Sequence, residues 1–254
     1  MYISSISHYK NWNTISQLYS HISSSKRIET AGDDPAGLAI SKKMETQSTL
    51  IKTDNKNMAD SQSLLNTVDG HLDSVTKGLQ RIKELAIQGS NGIYTSSDRE
   101  LLQSEIDQIK EQINSTSQSA QYNGISILNG TTLDLSGVSE NKNFDLSTDS
   151  LGITDFDITK SFDIRDIDKA IDALNSIRGD VGASTNAIDH ATNSNDITYM
   201  NLQSAQSRIE DVDMERMVME LRQEQLRNTA GLVMQKNHQQ EVIRNGQIYF
   251  NMLV

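Results

Sequence analysis

The amino-acid sequence predicts a mainly α-helical protein: a long antiparallel helical rod, packed as a coiled-coil-like bundle, with a small β-hairpin region and paired N- and C-terminal helices. Two stretches, residues 44–86 and 174–212, carry a seam residue at alternating three- and four-residue steps, which is the spacing of coiled-coil heptads. A Gly- and Asn-rich segment separates them. Neither helix can bury its apolar seam alone, so we expect the two helices to pack side by side and antiparallel. This arrangement brings the two chain termini together. The first seam is Met44, Gln47, Ile51, Asp54, Met58, Ser61, Leu65, Val68, Leu72, Val75, Leu79, Ile82 and Ala86, and the second is Leu174, Ile177, Val181, Ser184, Ile188, Ala191, Asn195, Thr198, Leu202, Ala205, Ile209 and Val212.

The composition supports a helical bundle and narrows the classes of partner. With 35% hydrophobic and 5% aromatic residues, a 254-residue chain is poor in the large side chains of a compact globular core. Its net charge of −11 repels phosphate backbones and anionic lipid, so we expect no nucleic-acid partner and no membrane partner. The sequence contains no apolar stretch of about 18 residues. It also has no cysteine, which excludes disulfides and thiol catalysis.

The first two long helices have recognisable start and stop residues. Asp34 is positioned to cap a helix whose first residue is Pro35, and Gly89 is positioned to end it, which predicts a helix over about 34–88. Ser97 and Glu100 have the spacing of a capping box. They predict a second helix, over 97–120, that folds back on the first.

After the second helix, the sequence predicts a short β-region and then a long helix that runs back toward the N-terminus. Between residues 123 and 162 the helical period is lost and glycines punctuate short apolar runs, which predicts two to four β-strands. Asp163 is positioned to cap a return helix over 163–214. The last segment, 215–254, contains good helix formers and, with the end of the return helix, a methionine-rich face that expects a partner. Its members are Met214, Met217, Met219 and Met234.

Several seam positions are polar, and two interpretations of them stay open. In a multi-helix bundle they match one another and set the register; where the rod is thin they face solvent. The positions are Gln47, Asp54, Ser61, Ser184, Asn195 and Thr198.

The sequence predicts no catalytic, cofactor or metal site. No pair of histidines has the H-E-x-x-H spacing that puts two imidazoles on one helical turn beside a general base. The phosphate-binding G-x-x-x-x-G-K-[ST] loop and the G-x-S-x-G nucleophile turn are also absent from the sequence. We therefore predict that the protein is not an enzyme.

Six sequence segments resemble the bacterial flagellins. Residues 23–28 (SSSKRI) and 31–37 (AGDDPAG) are similar to the flagellin element Ser-Ser-Gly-Leu-Arg-Ile followed by an Asp-Asp-x-Ala-Gly turn. In this chain Ser25 and Lys26 stand at the usual glycine and leucine. The other matching segments, in order, are 79–88 (LQRIKELAIQ), 104–106 (SEI), 121–125 (QYNGI) with Leu128, and 205–215 (AQSRIEDVDME).

The resemblance implies a structural subunit that polymerises into the flagellar filament for motility, in a minimal form without outer variable domains. It implies three parts: an inner-tube helix and spoke at 1–33, a rod domain at 34–214 and a C-terminal inner-tube helix at 215–254. The partners it implies are other flagellin subunits, an export chaperone and the filament cap. Because the first 25 residues lack the features of a secretory signal peptide, we expect export to the extracellular filament without a cleaved signal peptide. The assembly residues implied by the resemblance are Arg27, Ile28, Asp33, Asp34 and Gly37 in the spoke. The C-terminal segment 241–254 departs from the resemblance, because it is longer and more aromatic than the usual flagellin ending. We expect Met234, Tyr249 and Phe250 to act in C-terminal assembly, with chaperone binding as the alternative for the two aromatic residues.

The resemblance also implies a recognition face. Flagellins of the immunostimulatory type are detected by Toll-like receptor 5 through residues that match Arg81, Leu85 and Glu105 here. The seam neighbours of Arg81 predict that it projects outward with Leu85 one turn on, and the antiparallel return places Glu105 nearby. The alternative is an ordinary solvated helix face with an interhelix ion pair.

Two other functions stay open at this level. The first is a hook–filament junction protein, which shares the terminal helices and the rod. The second is a secreted adhesin or immune ligand that does not polymerise. The ability to form filaments separates the second function from a filament subunit.

Overall fold

The structure is a computed structural model that describes the backbone of residues 2–139 and 141–253 and the side chains of 12–139 and 141–248. The chain divides into two compact units, one made of Met1–Thr49 with Met200–Val254 and one made of Leu50–Tyr199. We call them the terminal unit and the central unit. Over the described residues the elements are α1 Tyr2–Ser24, α2 Pro35–Gly89, α3 Ser96–Ser119, β1 Gln121–Tyr122, β2 Ile125–Ser126, β3 Asn129–Leu133, β4 Lys142–Asp145, α4 Ile164–Glu210 and α5 Met214–Leu253.

In the central unit, α2 and α4 run antiparallel. Gln62 Nε2 donates to Asp189 at 3.1 Å, and farther along α2 Lys83 Nζ donates to Asp168 at 2.6 Å. Between them the seam side chains form one apolar cluster that excludes water, as the heptad pattern predicts. The fold class, mainly helical with paired long helices and a small β-hairpin region, is confirmed. The fully buried members of the two seams include Leu65, Val68, Leu72, Leu79, Ile82, Ala86 and Leu174.

The helix caps agree with the sequence at two starts and differ at one. Asp34 Oδ1 accepts from Gly37 N at 2.9 Å at the start of α2, and Asp163 Oδ1 accepts from Arg165 N at 2.9 Å at the start of α4. The predicted capping box of α3 at Ser97 and Glu100 is wrong. Thr95 is the cap instead, with Asp98 as its reciprocal partner, because this pair has the same spacing two residues earlier and satisfies the first free N–H groups.

The return helix ends at Glu210, before the predicted boundary at 214. Asp211 leaves the helix to pair with Lys26 in an isolated antiparallel bridge. Asp213 Oδ1 then accepts from Arg216 N at 3.1 Å, which caps a new helix, α5. The break is therefore made by a long-range backbone pairing followed by a local cap.

The middle of the chain contributes two short antiparallel hairpins to the central unit. β1 pairs with β2, and β3 pairs with β4. Asn123 and Gly124 in the first turn have φ values of 51° and 78°, as a tight two-residue hairpin requires. The segment after β4 has no strand in the described residues but still reaches the core, with Ile153 and Ile158 fully buried.

The polar seam residues follow both of the interpretations that the sequence left open. Gln47 and Thr198 are exposed, so they face solvent, whereas the exposed Asp54 carboxylate accepts from Asn195 Nδ2 at 3.4 Å across the helix pair. Ser61 is buried and its hydroxyl accepts from Ser136 N at 3.0 Å, while Asn195 donates to Asn55 Oδ1 at 3.0 Å across the helix pair. The remaining position, Ser184, is buried and donates to the carbonyl of Asp180 within its own helix.

In the terminal unit, α1 and α5 pair, as the sequence predicts. Gln225 Nε2 donates to Tyr19 Oη at 2.8 Å, and Ile15 of α1 and Leu221 of α5 are buried. The two terminal helices thus share a thin apolar contact with a polar pair, Gln225 and Tyr19, between them.

We expect Gly37→Ala to destabilise the terminal unit by about 1–2 kcal/mol, the range for loss of a helix cap. A Cβ at this position would lie 2.4 Å from Asp34 Oδ2 and 2.7 Å from Ile28 Cδ1, so the capping carboxylate would have to move. Chemical denaturation followed by far-UV circular dichroism measures the change. The matched control is Gly231→Ala in α5, where nothing lies within 4 Å of the new methyl group. This control is expected to stabilise the helix, and equal effects at both positions would contradict the prediction.

Candidate assembly and recognition surfaces

Two connectors, residues 25–34 and 211–213, join the terminal helices to the ends of α2 and α4. Arg27 N donates to the carbonyl of Glu210 at 2.6 Å, and Val212 N donates to the carbonyl of Ser25 at 3.2 Å. Ser25 adopts a φ of 57°, the left-handed backbone that glycine takes most easily. The flagellin pattern has glycine at the position of Ser25, and the left-handed backbone of Ser25 is the conformation that explains that glycine.

The predicted spoke residues lie in and beside the first connector. Ile28 is 1% exposed and fills the space beneath Gly37. The Arg27 guanidinium donates to the carbonyl of Ile209. Asp33 Oδ2 accepts from Thr30 N at 2.8 Å and Glu29 N at 3.1 Å, and these backbone N–H groups lower the pKa of the Asp33 carboxyl.

Sequence reasoning missed a buried polar side chain beside the connectors, that of Glu210 at the end of α4. It is 3% exposed, forms an ion pair with Lys26, and accepts from the Ser41 hydroxyl and from Gln206 Nε2, the last at 3.0 Å. Burial raises the pKa of the Glu210 carboxyl, but the hydrogen bonds from Lys26, Ser41 and Gln206 outweigh that effect and lower the pKa to about 2. The sequence did show Glu210 inside the flagellin-like segment 205–215, but its burial depends on a partner about 180 residues away.

The C-terminal helix leaves an apolar surface uncovered. The Met234 side chain is 72% exposed, and the other apolar side chains of this surface are between 48% and 71% exposed. We call this surface, which extends around the helix, the α5 face; it consists of Leu226, Leu232, Val233, Met234, Val242, Ile243 and Ile248. The side chains of Tyr249 and Phe250, predicted to act with Met234, lie outside the described residues. An uncovered apolar surface of this kind marks an interaction site.

On the central unit, the structure brings two of the three predicted recognition residues together. Arg81 Nε donates to Glu105 Oε1 at 2.7 Å, and its guanidinium also pairs with Glu84 at 3.2 Å. Both Arg81 and Glu105 are about half exposed. The predicted position of Leu85 on the same outward face is wrong: its side chain is 0% exposed, because the step from Ile82 returns it to the core side of α2.

The acidic and histidine side chains of the described ranges form no group of three or more positioned to share a metal ion. Among the described helices, none carries an apolar stretch of the length and hydropathy that a bilayer crossing requires.

A pair of terminal helices with uncovered apolar side chains on α5, in a chain that also contains a long antiparallel helix pair, defines the class of self-assembling structural subunit. Residues 4–132 match the family model of the bacterial flagellin N-terminal helical region, and residues 164–244 match that of the C-terminal helical region. The chain therefore belongs to the bacterial flagellin family.

Individual relatives agree with this assignment. The chain is 34% identical over 255 residues to a flagellin of Halalkalibacterium halodurans, with 92% of each chain covered. It is 32% identical over 240 residues to the flagellar filament 30.7 kDa core protein of Treponema maltophilum, with 84% of each covered. A solved structure of a putative flagellar hook-associated protein from Vibrio parahaemolyticus shares the fold at a TM-score of 0.57 and 16% identity, covering 70% of this chain and all of that one. The protein is a structural subunit of the extracellular flagellar filament that polymerises with other flagellin subunits.

Proposed function

We propose that the α5 face, together with α1, makes the subunit contacts that hold the filament together. The observation that carries this proposal is the exposure of seven apolar side chains on α5, the terminal helix that pairs with α1. Covering such a face removes apolar area from water at about 25 cal/mol per Å². In this proposal residues 1–33 and 215–254 form the inner layer of the filament and 34–214 the surrounding rod layer, and the protein has no enzymatic activity.

The same face suits the transient partners of a subunit before it is incorporated. An export chaperone that covers apolar side chains would keep the monomer from associating early, and the filament cap would receive it at the growing end. The chaperone interaction would compete with polymerisation, because both need the α5 face.

Seeded extension tests the assembly role. Purified protein is added to short filament fragments and examined by electron microscopy, in comparison with a chain that ends before Glu241. The full chain is expected to extend the seeds, and the shortened chain is expected to fail because it lacks Val242, Ile243 and everything beyond. A finer pair is Val242→Asp against Gln240→Asp: both positions are exposed and lie in the same helix, but only Val242 belongs to the α5 face.

The outcomes separate the functions that the sequence left open. Extension by the full chain and by Gln240→Asp, with none by Val242→Asp, supports the filament role of the α5 face. Extension by Val242→Asp at the rate of the full chain would exclude that face from assembly. A full chain that stays monomeric beside its seeds would instead favour the secreted interaction protein, and incorporation only at the hook end of the filament would favour the junction protein.

We also propose that Arg81 and Glu105 form a contact for Toll-like receptor 5, without direct contact by Leu85. What supports this is a solvent-exposed pair at the two positions where the flagellin resemblance expects receptor contact. The double variant Arg81→Ala with Glu105→Ala is expected to weaken binding to the receptor ectodomain at least tenfold, as measured by surface plasmon resonance. Because exposed ion pairs contribute about 0–1 kcal/mol, folding should be little affected.

A matched control is the double variant Asp166→Ala with Lys169→Ala, which removes an exposed pair at the start of α4. It is expected to bind the receptor as the unchanged protein does. Equal affinity of both double variants would contradict the receptor proposal and favour an ordinary solvated helix face. Leu85→Ala, by contrast, is expected to act through the stability of the core.

A further inference from the structure

Glu210 lies where a carboxylate is unfavourable for its own helix. It is the last residue of α4, and the C-terminus of a helix carries a partial negative charge that repels an anion. Its carboxylate is also withdrawn from water, which costs free energy unless partners compensate. The stabilisation of this residue therefore comes from groups outside the last turn of α4.

Those groups come from three segments of the terminal unit. Lys26 belongs to the first connector, Ser41 to the second turn of α2, and Gln206 to α4 itself. One carboxylate thus ties the connector and the start of α2 to the end of α4. We call this arrangement, formed by Lys26, Ser41, Gln206 and Glu210, the connector clasp.

The clasp is adjacent to the backbone pairing of the two connectors. That pairing consists of a single bridge, Lys26 with Asp211, flanked by two hydrogen bonds. A two-strand contact of this size is marginal in water by itself. The hydrogen bonds of Glu210 are directional, so they favour one register of the Lys26–Asp211 pairing. Fixing a register is the best-attested role of a buried polar group.

We propose that Glu210 is a positioning residue for filament assembly: through the clasp it holds the first connector against the end of α4, so that α1 and α5 start side by side in one register. The inference rests on the proposed role of these helices in assembly. Lys26 is the complementary residue, since the leucine of the usual flagellin pattern has no donor for a carboxylate.

The first test compares Glu210→Gln with Glu220→Gln, which removes a carboxylate from an exposed pair with Arg216 in the same unit. In seeded extension, Glu210→Gln is expected to raise the critical concentration at least tenfold, and Glu220→Gln to change it less than twofold. Fluorescence of Trp12, the single tryptophan of the chain, and far-UV circular dichroism establish that each variant is folded at the assay temperature.

A second measurement separates positioning from a general loss of stability. Sucrose stabilises folded states because it is excluded from the protein surface. Sucrose is expected to restore the melting temperature of Glu210→Gln. The critical concentration of Glu210→Gln should nevertheless stay above that of the unchanged protein measured in the same sucrose solution. If the gap closes together with the melting temperature, Glu210 acts through stability alone and the inference is overturned.

A covalent staple provides the rescue. The chain has no cysteine, and Lys26 and Asp211 form the closely spaced, non-hydrogen-bonded kind of antiparallel pair, with Cα atoms about 4.5 Å apart, which suits a disulfide. The triple variant with Lys26→Cys, Glu210→Gln and Asp211→Cys is expected to extend seeds when oxidised, within about threefold of the unchanged protein, and to fail when reduced. On forming, the disulfide joins the two sulfurs with loss of two protons and two electrons to an added oxidant such as oxidised glutathione.

The outcomes distinguish this inference from the assembly proposal. Normal extension by Glu210→Gln, or failure of the oxidised triple variant once mass spectrometry has verified its disulfide, would overturn the positioning role. Failure of the unchanged protein to extend seeds would contradict the proposed function instead.

Discussion

Leu79→Ala is expected to lower the free energy of unfolding of the central unit by about 3 kcal/mol, within the 2–5 kcal/mol typical of buried leucine truncations. The Leu79 side chain is 0% exposed and belongs to the continuous apolar cluster of the unit. The substitution leaves a cavity in the apolar cluster beside the C-terminal third of α2, where the close-packed helices have little freedom to close around it. Urea denaturation followed by far-UV circular dichroism measures the effect.

The control for this prediction is Leu101→Ala on α3. The Leu101 side chain is 71% exposed, so its truncation is expected to change the free energy of unfolding by less than about 0.5 kcal/mol. Similar losses at Leu79 and Leu101 would contradict the assignment of the seam as the source of most of the burial energy.

Acid is expected to weaken the terminal unit through Glu210. The folded pKa of this carboxyl is lowered from 4.5 to about 2; the shift corresponds to about 3 kcal/mol of stability at neutral pH, at 1.36 kcal/mol per unit. Because the folded pKa lies below the unfolded one, this contribution is fully present above pH 4.5 and is lost as the pH falls toward 2. The charged groups of neighbouring segments that act here are Lys26 and Lys42, and lysines stay cationic throughout this range.

The difference between the unchanged protein and Glu210→Gln isolates this residue from the other carboxylates. Denaturation followed by Trp12 fluorescence should show Glu210→Gln less stable by up to about 3 kcal/mol at pH 7. The gap should narrow steadily between pH 4.5 and pH 2. A gap that stays constant over this range would contradict the lowered pKa of Glu210, since a neutral glutamine cannot reproduce a titrating partner.

These results describe a subunit with two kinds of surface. The central unit buries its own apolar seam and presents polar pairs such as Arg81 with Glu105 to solvent. The terminal unit buries little of α5 and leaves its apolar face for other subunits. This division suits a chain that must stay monomeric until it reaches the growing end of a filament, where mass action stabilises the incorporated form.

The sequence by itself predicted the features that depend on local pattern. Heptad spacing predicted which face of α2 is buried from Met58 to Ala86, and the short-range chemistry of Asp34 and Asp163 predicted two helix starts. Periodicity and capping are encoded within a few residues, so they are readable without tertiary information. The capping box of α3 was misplaced because Thr95 with Asp98 and Ser97 with Glu100 satisfy the same local rule, and only the packed helix selects between them.

What the tertiary structure alone decided concerns residues far apart in the chain. By sequence spacing, Leu85 is expected on the outward side of α2, one turn from Arg81. It is buried instead, because α3 and the hairpin region pack on α2 as well as α4 and widen its apolar stripe beyond the heptad seam. Glu210 resembles the solvated carboxylates near it in sequence, and only the approach of Lys26 and Ser41 makes it a buried and strongly acidic group. The sequence therefore determined the helices, their apolar faces and the flagellin family. Long-range packing decided burial and charge pairing at single positions, because desolvation and ion pairing depend on neighbours that local spacing does not specify.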